Sequence, residues 1–178
     1  SGIAKVMTPI FTPERTVVGQ LETLGLKPDD IDVVICSHLH PDHCGCNEYF
    51  RRATILCHEA EVAAAKAEGS ENKGYLKHEW DQPQGFQTFG AEYDVFGDGR
   101  LVLLPMPGHT PGMTAARISL EHDGTFILAS DAAPLQINID TGMAPKNTWN
   151  MDLASEALVR LKDLRDKGAT VISGHDDV

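Results

Sequence analysis

The chain has 178 residues, of which 42% are hydrophobic, and it carries a formal net charge of −11. This length and composition are typical of one globular domain, so we expect residues 1–178 to form a single domain. The acidic balance disfavours nucleic acid as a partner, because phosphate groups are bound by basic surfaces. No run approaches the ~20 apolar residues that cross a bilayer, so we expect no membrane partner.

The first predicted element is a short amphipathic helix. Thr12 is placed as its N-cap with a proline in the first turn, and Gly25 is placed to end it. Its apolar face is expected to hold Val17, Val18, Leu21 and Leu24. Residues 31–36 then form an apolar run that predicts a buried strand.

A dense group of metal-ligating side chains follows this strand directly. It consists of His38, His40, Asp42 and His43. At a strand end, the side chains of residues i and i+2, here His38 and His40, can point the same way. The following pair, Asp42 and His43, can turn toward a second metal ion. One closed structural zinc takes four ligands and usually draws them from two separated pairs. The density favours a two-metal site, where two ions share a bridging oxygen, over a polar loop that holds histidines by chance.

Beyond this loop the sequence predicts a second strand and a second helix. Residues 53–57 form the strand, and residues 59–68 form an alanine-rich helix that Gly69 ends. His58 lies at the junction, where we expect a structural role. The next segment is polar and irregular. It contains three aromatic residues, Tyr75, Trp80 and Phe86. These residues either line a substrate pocket or pack the segment onto the protein body.

The pattern then changes to strands of alternating hydrophobicity. Asp123 and Gly124 form a hairpin signal between the last two of these strands. The predicted strands cover residues 93–96, 101–104, 113–120 and 125–129. Together with the helices, they indicate a layered α/β fold with helices on the outside.

The C-terminal part is predicted to contain a long connection, a helix and a final strand. Residues 134–149 form the connection, and loops of this length in compact domains are usually functional. Asn150 is placed to cap a helix that Gly168 ends, and residues 170–173 return to the sheet. The apolar side of the helix is expected to hold Leu153, Ala157, Leu158, Leu161 and Leu164.

Three of these later strands are also followed by a histidine or an aspartate. His109 follows residues 101–104, Asp131 follows 125–129, and His175 follows 170–173. Catalytic and ligating residues collect on loops held by a rigid sheet. With the histidine-rich loop, this layout occurs four times, so we expect all four strand ends to contribute to one metal site.

The four cysteines suggest no second metal site. Cys44 and Cys46 form a C-x-C pair that could bind zinc, but no second cysteine pair accompanies it. Cys36 and Cys57 lie in apolar runs and are expected to be small buried hydrophobic residues. We therefore expect free thiols and a reducing, cytoplasmic location.

These motifs resemble the metallo-β-lactamase-fold hydrolases, through the His-x-His-x-Asp-His signature at positions 38–43. More narrowly, the chain is similar to the N-acyl homoserine lactonase branch. The shared motifs are Pro-Gly-His-Thr-Pro-Gly at 107–112, Ser-Asp-Ala at 130–132 and Ser-Gly-His-Asp at 173–176. The resemblance implies an α/β fold of the metallo-β-lactamase αβ/βα sandwich type and a metal-dependent hydrolase.

The resemblance also implies a ligand set, residue by residue. One ion would be held by His38, His40 and His109, the second by Asp42, His43 and His175, and Asp131 would bridge the two. Zinc is the family default, although such ligands also accommodate manganese, iron or cobalt. The aspartate at position 131 favours lactonase, thioesterase and phosphoesterase relatives, because β-lactamases of the commonest subclass have a cysteine there.

In the implied reaction, two metal ions activate water for attack on an ester or lactone carbonyl. The leaving alkoxide then needs a proton, and we expect Asp42 to donate it. Thr110 and Asp176 are expected to orient ligands by hydrogen bonds.

Two features depart from the family pattern. Pro134 stands where lactonases of this branch carry a tyrosine that contacts the substrate carbonyl. In addition, the family has several strands before the histidine-rich loop, and this sequence has few residues there. We expect part of the N-terminal sheet, and a short tail beyond Val178, to lie outside this sequence.

Three functions therefore remain open from the sequence. The first is hydrolysis of N-acyl homoserine lactones, a quorum-quenching activity. The second is a thioesterase of the glyoxalase II type, or an aryl-ester or phosphoester hydrolase, for which Lys73, Lys77 and Lys146 could bind anionic substrate groups. The third is an inactive metal-binding relative. Such enzymes are often dimers, so a homodimer is a further expectation.

Overall fold

The computed structural model describes residues 12–176 and contains two β-sheets. The first sheet is parallel, with the order β1-β2-β3. Its strands are β1 (Val33–Ile35), β2 (Thr54–His58) and β3 (Gln87–Phe89). The parts of the predicted domain at residues 1–11 and 177–178 lie outside the described residues.

The second sheet has five strands in the order β4-β5-β6-β7-β8. Neighbouring strands are antiparallel except for the parallel pair β7 and β8. The strands are β4 (Tyr93–Asp94), β5 (Leu101–Pro105), β6 (Thr114–Leu120), β7 (Gly124–Ser130) and β8 (Thr170–Ser173). The predicted hairpin is confirmed, because Leu120 pairs with Gly124 and Gly124 has a positive φ of 83°.

Six α-helices accompany the sheets within residues 12–176. They are α1 (Val17–Thr23), α2 (Pro41–Cys44), α3 (Glu59–Lys66), α4 (Lys77–Trp80), α5 (Gln136–Thr141) and α6 (Met151–Asp166). Short 3₁₀ turns lie at Pro13–Arg15, Pro28–Asp30, Asn47–Tyr49 and Ser70–Lys73. In this part of the chain, no helix combines the length and apolar character needed to cross a bilayer.

The two sheets pack face to face between outer helices. Leu56, Phe89 and Leu103 form the cluster between the sheets. Because side chains alternate along a strand, Ile55 and Cys57 point to the opposite face, where they pack with residues of α3. On the far side, β5 to β7 pack against α6 through a separate apolar cluster. The expected αβ/βα sandwich is confirmed.

The long C-terminal helix forms as predicted. The Asn150 side chain accepts hydrogen bonds from the backbone N–H groups of Asp152 and Leu153, at 3.0 and 3.1 Å. Gly168, with φ of 99°, follows its end. The fully buried side chains on its inner side are Ala154, Ala157, Leu158 and Leu161.

Four predictions about the elements were wrong or only partly right. Thr12 precedes the 3₁₀ turn Pro13–Arg15 with a proline in the first turn, but α1 itself begins after Thr16, whose hydroxyl caps it by accepting from the Gly19 N–H. The predicted apolar face of α1 has no buried residue. Strand β1 is only half-buried, since it lies at an edge of its sheet. The predicted connection 134–149 contains α5.

Candidate metal centre

The predicted ligand loops meet at one edge of the sandwich because of the strand directions. Strands β5, β7 and β8 run the same way, so the residues that follow them lie at the same edge. The Thr114 N–H, at the start of β6, donates to the Ser37 carbonyl oxygen at 2.9 Å and brings the histidine-rich loop to this edge. The structure thus brings together all seven sequence-predicted ligands.

The histidine-rich loop is anchored by an apolar residue. Leu39 is 0% exposed and packs in the cluster below the loop, so His38 and His40 on either side of it turn toward the site. His40 is extended and precedes α2, whose first residue is Pro41. The helix then presents Asp42 and His43 on its first turn.

Three histidines form the first group of ligand atoms. His40 Nδ1 lies 3.1 Å from His38 Nε2 and 3.1 Å from His109 Nε2. His40 Nε2 lies 3.1 Å from the Lys73 carbonyl oxygen, which accepts its N–H and leaves Nδ1 as the free lone pair. Three ring nitrogens therefore converge on one point.

The second group contains an aspartate and two histidines. Asp42 Oδ2 lies 3.4 Å from His43 Nε2 and 3.7 Å from His175 Nε2. The Asp42 and His175 side chains are 54% and 45% exposed, so this group lies nearer the solvent than the first. His175 is held by its backbone N–H, which donates to the Pro134 carbonyl oxygen at 2.8 Å.

Asp131 connects the two groups. Its Oδ1 lies 3.0 Å from His175 Nε2 and 3.3 Å from His43 Nε2, while Oδ2 lies 3.3 Å from His109 Nε2. Although burial favours the neutral acid, His43 and the neighbouring histidines lower the pKa of Asp131. This carboxylate occupies the position expected of a bridging ligand.

The protonation of the histidines follows from their surroundings. Burial and the nearby histidines lower the pKa of His38, which is 0% exposed. Burial also lowers the pKa of His109. Burial alone would lower the pKa of His43, but the Asp131 and Asp42 carboxylates outweigh it and raise this pKa to about 9. His38 and His109 therefore favour the neutral imidazole, the form that binds metal ions.

The donor set fits divalent metal ions. Nitrogen lone pairs at 3.1 Å repel one another unless a cation lies between them, and His43 Nε2 and Asp131 Oδ1 are buried without a hydrogen-bond partner. Imidazole and carboxylate are the usual ligands of zinc and similar ions. The ligand atoms of each group lie within 4.8 Å of one another, close enough to share an ion. Ligation itself stays a prediction.

Two serines support these histidines and were missed by the sequence analysis. The Ser130 hydroxyl donates to the Ser37 hydroxyl oxygen at 2.9 Å and lies 3.4 Å from His43 Nδ1. Ser37 Oγ lies 3.3 Å from His38 Nδ1. Ser130 has a positive φ of 46°, an uncommon conformation for a residue with a side chain, directly before Asp131. The strained backbone conformation of Ser130 could not be read from the sequence.

We expect the Ser130→Ala variant to bind metal ions about 10-fold more weakly, because it loses the hydroxyl that faces the Nδ1 atom of His43. Alanine retains the same backbone restriction as serine, so the hydroxyl alone is tested. The dissociation constant is measured by competition with a coloured chelator. Ser155→Ala, on an exposed position of α6, is the matched control, and equal affinities for both variants would contradict the prediction.

The loop that carries His109 is held by the start of α6. The Trp149 and Asn150 N–H groups donate to the His109 and Gly108 carbonyl oxygens at 3.1 and 3.0 Å. A side chain at Gly108 would come within 2.5 Å of the Ala154 backbone, so only glycine allows this contact. The asparagine cap of α6 therefore also fixes the metal-site loop.

A cavity of about 310 Å³ lies beside the first histidine group. Tyr75, Thr110 and Trp149 line it together with His40 and His109. Of the aromatic residues considered for a pocket, Tyr75 therefore lies in the cavity. All three aromatic residues also pack in the cluster beneath α3, as the alternative interpretation predicted, and Trp80 lines a separate cavity of about 590 Å³.

Other predicted roles had mixed outcomes. His58 is structural as predicted, because its Nδ1 accepts the Ala60 N–H at the start of α3. The Asp176 carboxylate accepts the Gln136 N–H at 2.6 Å and so caps α5; within residues 12–176 it has no hydrogen bond to a predicted ligand side chain. Thr110 was predicted to orient a metal ligand by a hydrogen bond. Its hydroxyl is buried and makes no such bond to the described residues. All four cysteines are free, as expected.

Comparisons with known proteins identify the family of the chain. A family model for the metallo-beta-lactamase superfamily matches residues 8–175. The N-acyl homoserine lactonase AttM of Azorhizobium caulinodans is 30% identical, and the match covers 98% of this chain and 69% of that protein. An N-acyl homoserine lactonase of Bacillus cereus is 31% identical, with 94% and 65% covered. The chain thus spans about two thirds of the length of these relatives.

A solved structure agrees at the level of the fold and the sequence. It is an N-acyl homoserine lactone hydrolase with the product N-hexanoyl-L-homoserine bound at its catalytic metal centre. The two structures superpose with a TM-score of 0.82 at 30% identity, over 94% of this chain and 65% of the other. Because family model, sequence and fold agree over nearly the whole chain, it belongs to the metallo-beta-lactamase superfamily.

Proposed function

We propose that the protein is a metal-dependent hydrolase that opens the lactone ring of N-acyl homoserine lactones. The observation that carries the proposal is the pair of ligand groups joined by Asp131. The 30–31% identity to N-acyl homoserine lactonases supports the choice of substrate. The biological role would then be quorum quenching.

The proposed cofactor is a pair of divalent ions, most simply zinc, since imidazole nitrogens dominate the ligand set. When bound, the ions would supply Lewis acidity to the substrate carbonyl and lower the pKa of water toward neutrality. His38, His40 and His109 would hold one ion and Asp42, His43 and His175 the other. Asp131 would contact both and keep them close together.

Asp42 has the exposure that a proton carrier needs. Its side chain is 54% exposed, whereas that of Asp131 is 10% exposed. The pKa of Asp42 is lowered to about 2 by its contact with His43, so the carboxylate is ionised at neutral pH. Asp42 would first accept a proton from the attacking water at Oδ1, the oxygen that faces away from the second ligand group, and then donate it to the alkoxide of the opened ring.

The hydroxyl contact to the substrate carbonyl cannot come from Pro134. Two residues that line the cavity carry hydroxyl groups, Tyr75 and Thr110, and both hydroxyl oxygens are buried. Burial and the Glu61 carboxylate raise the pKa of Tyr75, so its hydroxyl keeps its proton and is able to donate. We propose that one of these two groups replaces the missing tyrosine.

The lactonase proposal is tested by comparing kcat/KM for substrates of different classes on the metal-loaded protein. The series contains an N-acyl homoserine lactone, a glutathione thioester, an aryl ester and a phosphodiester. We expect the lactone to have the highest kcat/KM. A higher value for any other class would replace the proposal with that activity.

One observation favours the thioesterase as the second candidate. Of the three lysines considered, Lys73 lines the cavity beside His40, where it could bind an anionic tail. If thioesters are the substrates, Lys73→Ala should raise KM for an anionic thioester and leave a neutral lactone unaffected. Lys77→Ala, an exposed lysine outside this cavity, is the matched control.

The proposed location is the cytoplasm. The four free thiols support it, because disulfides form mainly in oxidising compartments.

A further inference from the structure

Glu61 is a buried acidic residue that is not among the predicted ligands and carries no proton in the proposed reaction, although its carboxylate helps to raise the pKa of Tyr75. It lies in the first turn of α3 and is 0% exposed. Its two carboxylate oxygens accept hydrogen bonds from two different loops. Oε1 accepts the Leu39 N–H at 3.0 Å, and Oε2 accepts the Gly112 N–H at 2.9 Å.

The two donors belong to the loops that carry the first histidine group. Leu39 stands between His38 and His40, and Gly112 belongs to the loop of His109. A single carboxylate therefore joins two chain segments that are far apart in sequence. The three ring nitrogens that converge at 3.1 Å all come from these two segments.

The fit around this carboxylate is close. A side-chain carbon at Gly112 would lie 2.4 Å from the Cβ atom and from the backbone nitrogen of Glu61, so only glycine allows the loop to approach α3. The approach aims the Gly112 N–H at the carboxylate. Any side chain at this position would push the His109 loop away from the histidine-rich loop.

Burial of a carboxylate is costly, and α3 does not need one for packing. The inner side of α3 also holds Val62 and Ala65, so an apolar residue would suit position 61. Among the described residues, no ion pair involves Glu61; its oxygens accept two backbone N–H groups, and the Tyr75 hydroxyl also lies near the carboxylate. A buried charge with one oxygen on each of the two ligand loops indicates a role in their placement.

We propose that Glu61 is a positioning residue that sets the distance between the histidine-rich loop and the His109 loop, and thereby the affinity of the first histidine group for its metal ion. The inference rests on the proposed metal centre, and it holds for any substrate. Glu61 contacts none of the ligand side chains and acts through the two backbone hydrogen bonds.

The test compares Glu61→Gln and Glu61→Ala with the unmodified protein. Glutamine has one carbonyl oxygen, so it can accept one of the two N–H groups while its NH₂ group faces the other donor. We expect Glu61→Gln to weaken metal binding about 10-fold and Glu61→Ala to weaken it further, within about 10–100-fold. The affinity is measured by chelator competition, without substrate. Glu59→Gln, an exposed position of the same helix turn, is the matched control.

A second readout separates positioning from general stability. Amide hydrogen exchange in the metal-free protein should show faster exchange in Glu61→Gln at whichever of Leu39 and Gly112 faces the NH₂ group, with exchange in β5 to β7 unchanged. Circular dichroism establishes whether each variant is folded. If Glu61→Ala does not fold, the metal affinity and hydrogen exchange of Glu61→Gln alone test the proposal. A folded Glu61→Gln protein with unchanged metal affinity would overturn the proposal, and so would an equal loss in Glu59→Gln. Absence of lactone hydrolysis would affect only the proposed function, because neither readout uses substrate.

Discussion

Replacement of Asp131 by alanine is expected to lower lactone turnover more than ~100-fold and to reduce the metal content of the protein. Its two oxygens lie within 3.3 Å of His43, His109 and His175, so one substitution affects both ligand groups. Loss of a residue that only supports a ligand already costs about 10–100-fold, and a shared ligand should cost more. Metal content is measured by elemental analysis of dialysed protein, and turnover by product formation.

The matched control for Asp131 is Asp166→Ala, at an exposed position at the end of α6. This variant should retain both metal content and turnover. If the Asp131→Ala protein kept two metal ions per chain and its full turnover, Asp131 could not be the bridging ligand. The division of the site into two groups with one shared carboxylate would then be wrong.

Replacement of Asp42 by asparagine is expected to lower kcat by about 10²–10⁴-fold, the usual contribution of a positioned acid or base. Asparagine has nearly the same shape and retains one oxygen that can contact a metal ion. It cannot accept and return a proton, as the Asp42 carboxylate would do at its other oxygen, Oδ1. The expected result is therefore a large loss of kcat with a smaller loss of metal binding.

The measurement for Asp42 uses the variant loaded with metal ions at saturating concentration, so that weaker ligation is compensated. A leaving group that needs no proton provides the control. Hydrolysis of an aryl ester with an acidic phenol should depend on Asp42 less than opening of the lactone does. Unchanged kcat for the lactone would remove Asp42 from the proton-transfer step.

The sequence was sufficient to predict the strand ends that form the site. His109, Asp131 and His175 each follow an apolar run, and the strand directions place all of them at one edge. Such residues can be found because the ligating side-chain types are rare in apolar surroundings. The sandwich followed from the order of the elements and from the resemblance to a known fold.

The supporting residues could not be predicted from the sequence. Ser37 and Ser130 are far apart along the chain, and only the packing of the two sheets against each other brings their hydroxyls to 2.9 Å. Glu61 stands in an ordinary alanine-rich helix, where an acidic residue in the first turn is usually exposed. One signal was available, since Glu61 precedes Val62 and Ala65 on the side of the helix that is buried.

Helix boundaries were predicted less well, because local capping decides them. Thr12 and Thr16 are both threonines near a proline, and either could cap the first helix. The structure gives the cap to Thr16, whose hydroxyl accepts the Gly19 N–H at 3.1 Å. Helix α5 was missed because its short sequence has little periodicity, and its start depends on the distant Asp176 carboxylate.

The central claim is that the joined histidine and aspartate groups form a metal centre that opens lactone rings. Proton release tests it most directly, because each ring opening by water yields one carboxylic acid. A weakly buffered solution of the metal-loaded protein with a pH indicator should acidify when an N-acyl homoserine lactone is added. The metal-free protein and the His109→Ala variant should not acidify. A protein that carries two metal ions per chain and releases no protons from the lactone would contradict the claim.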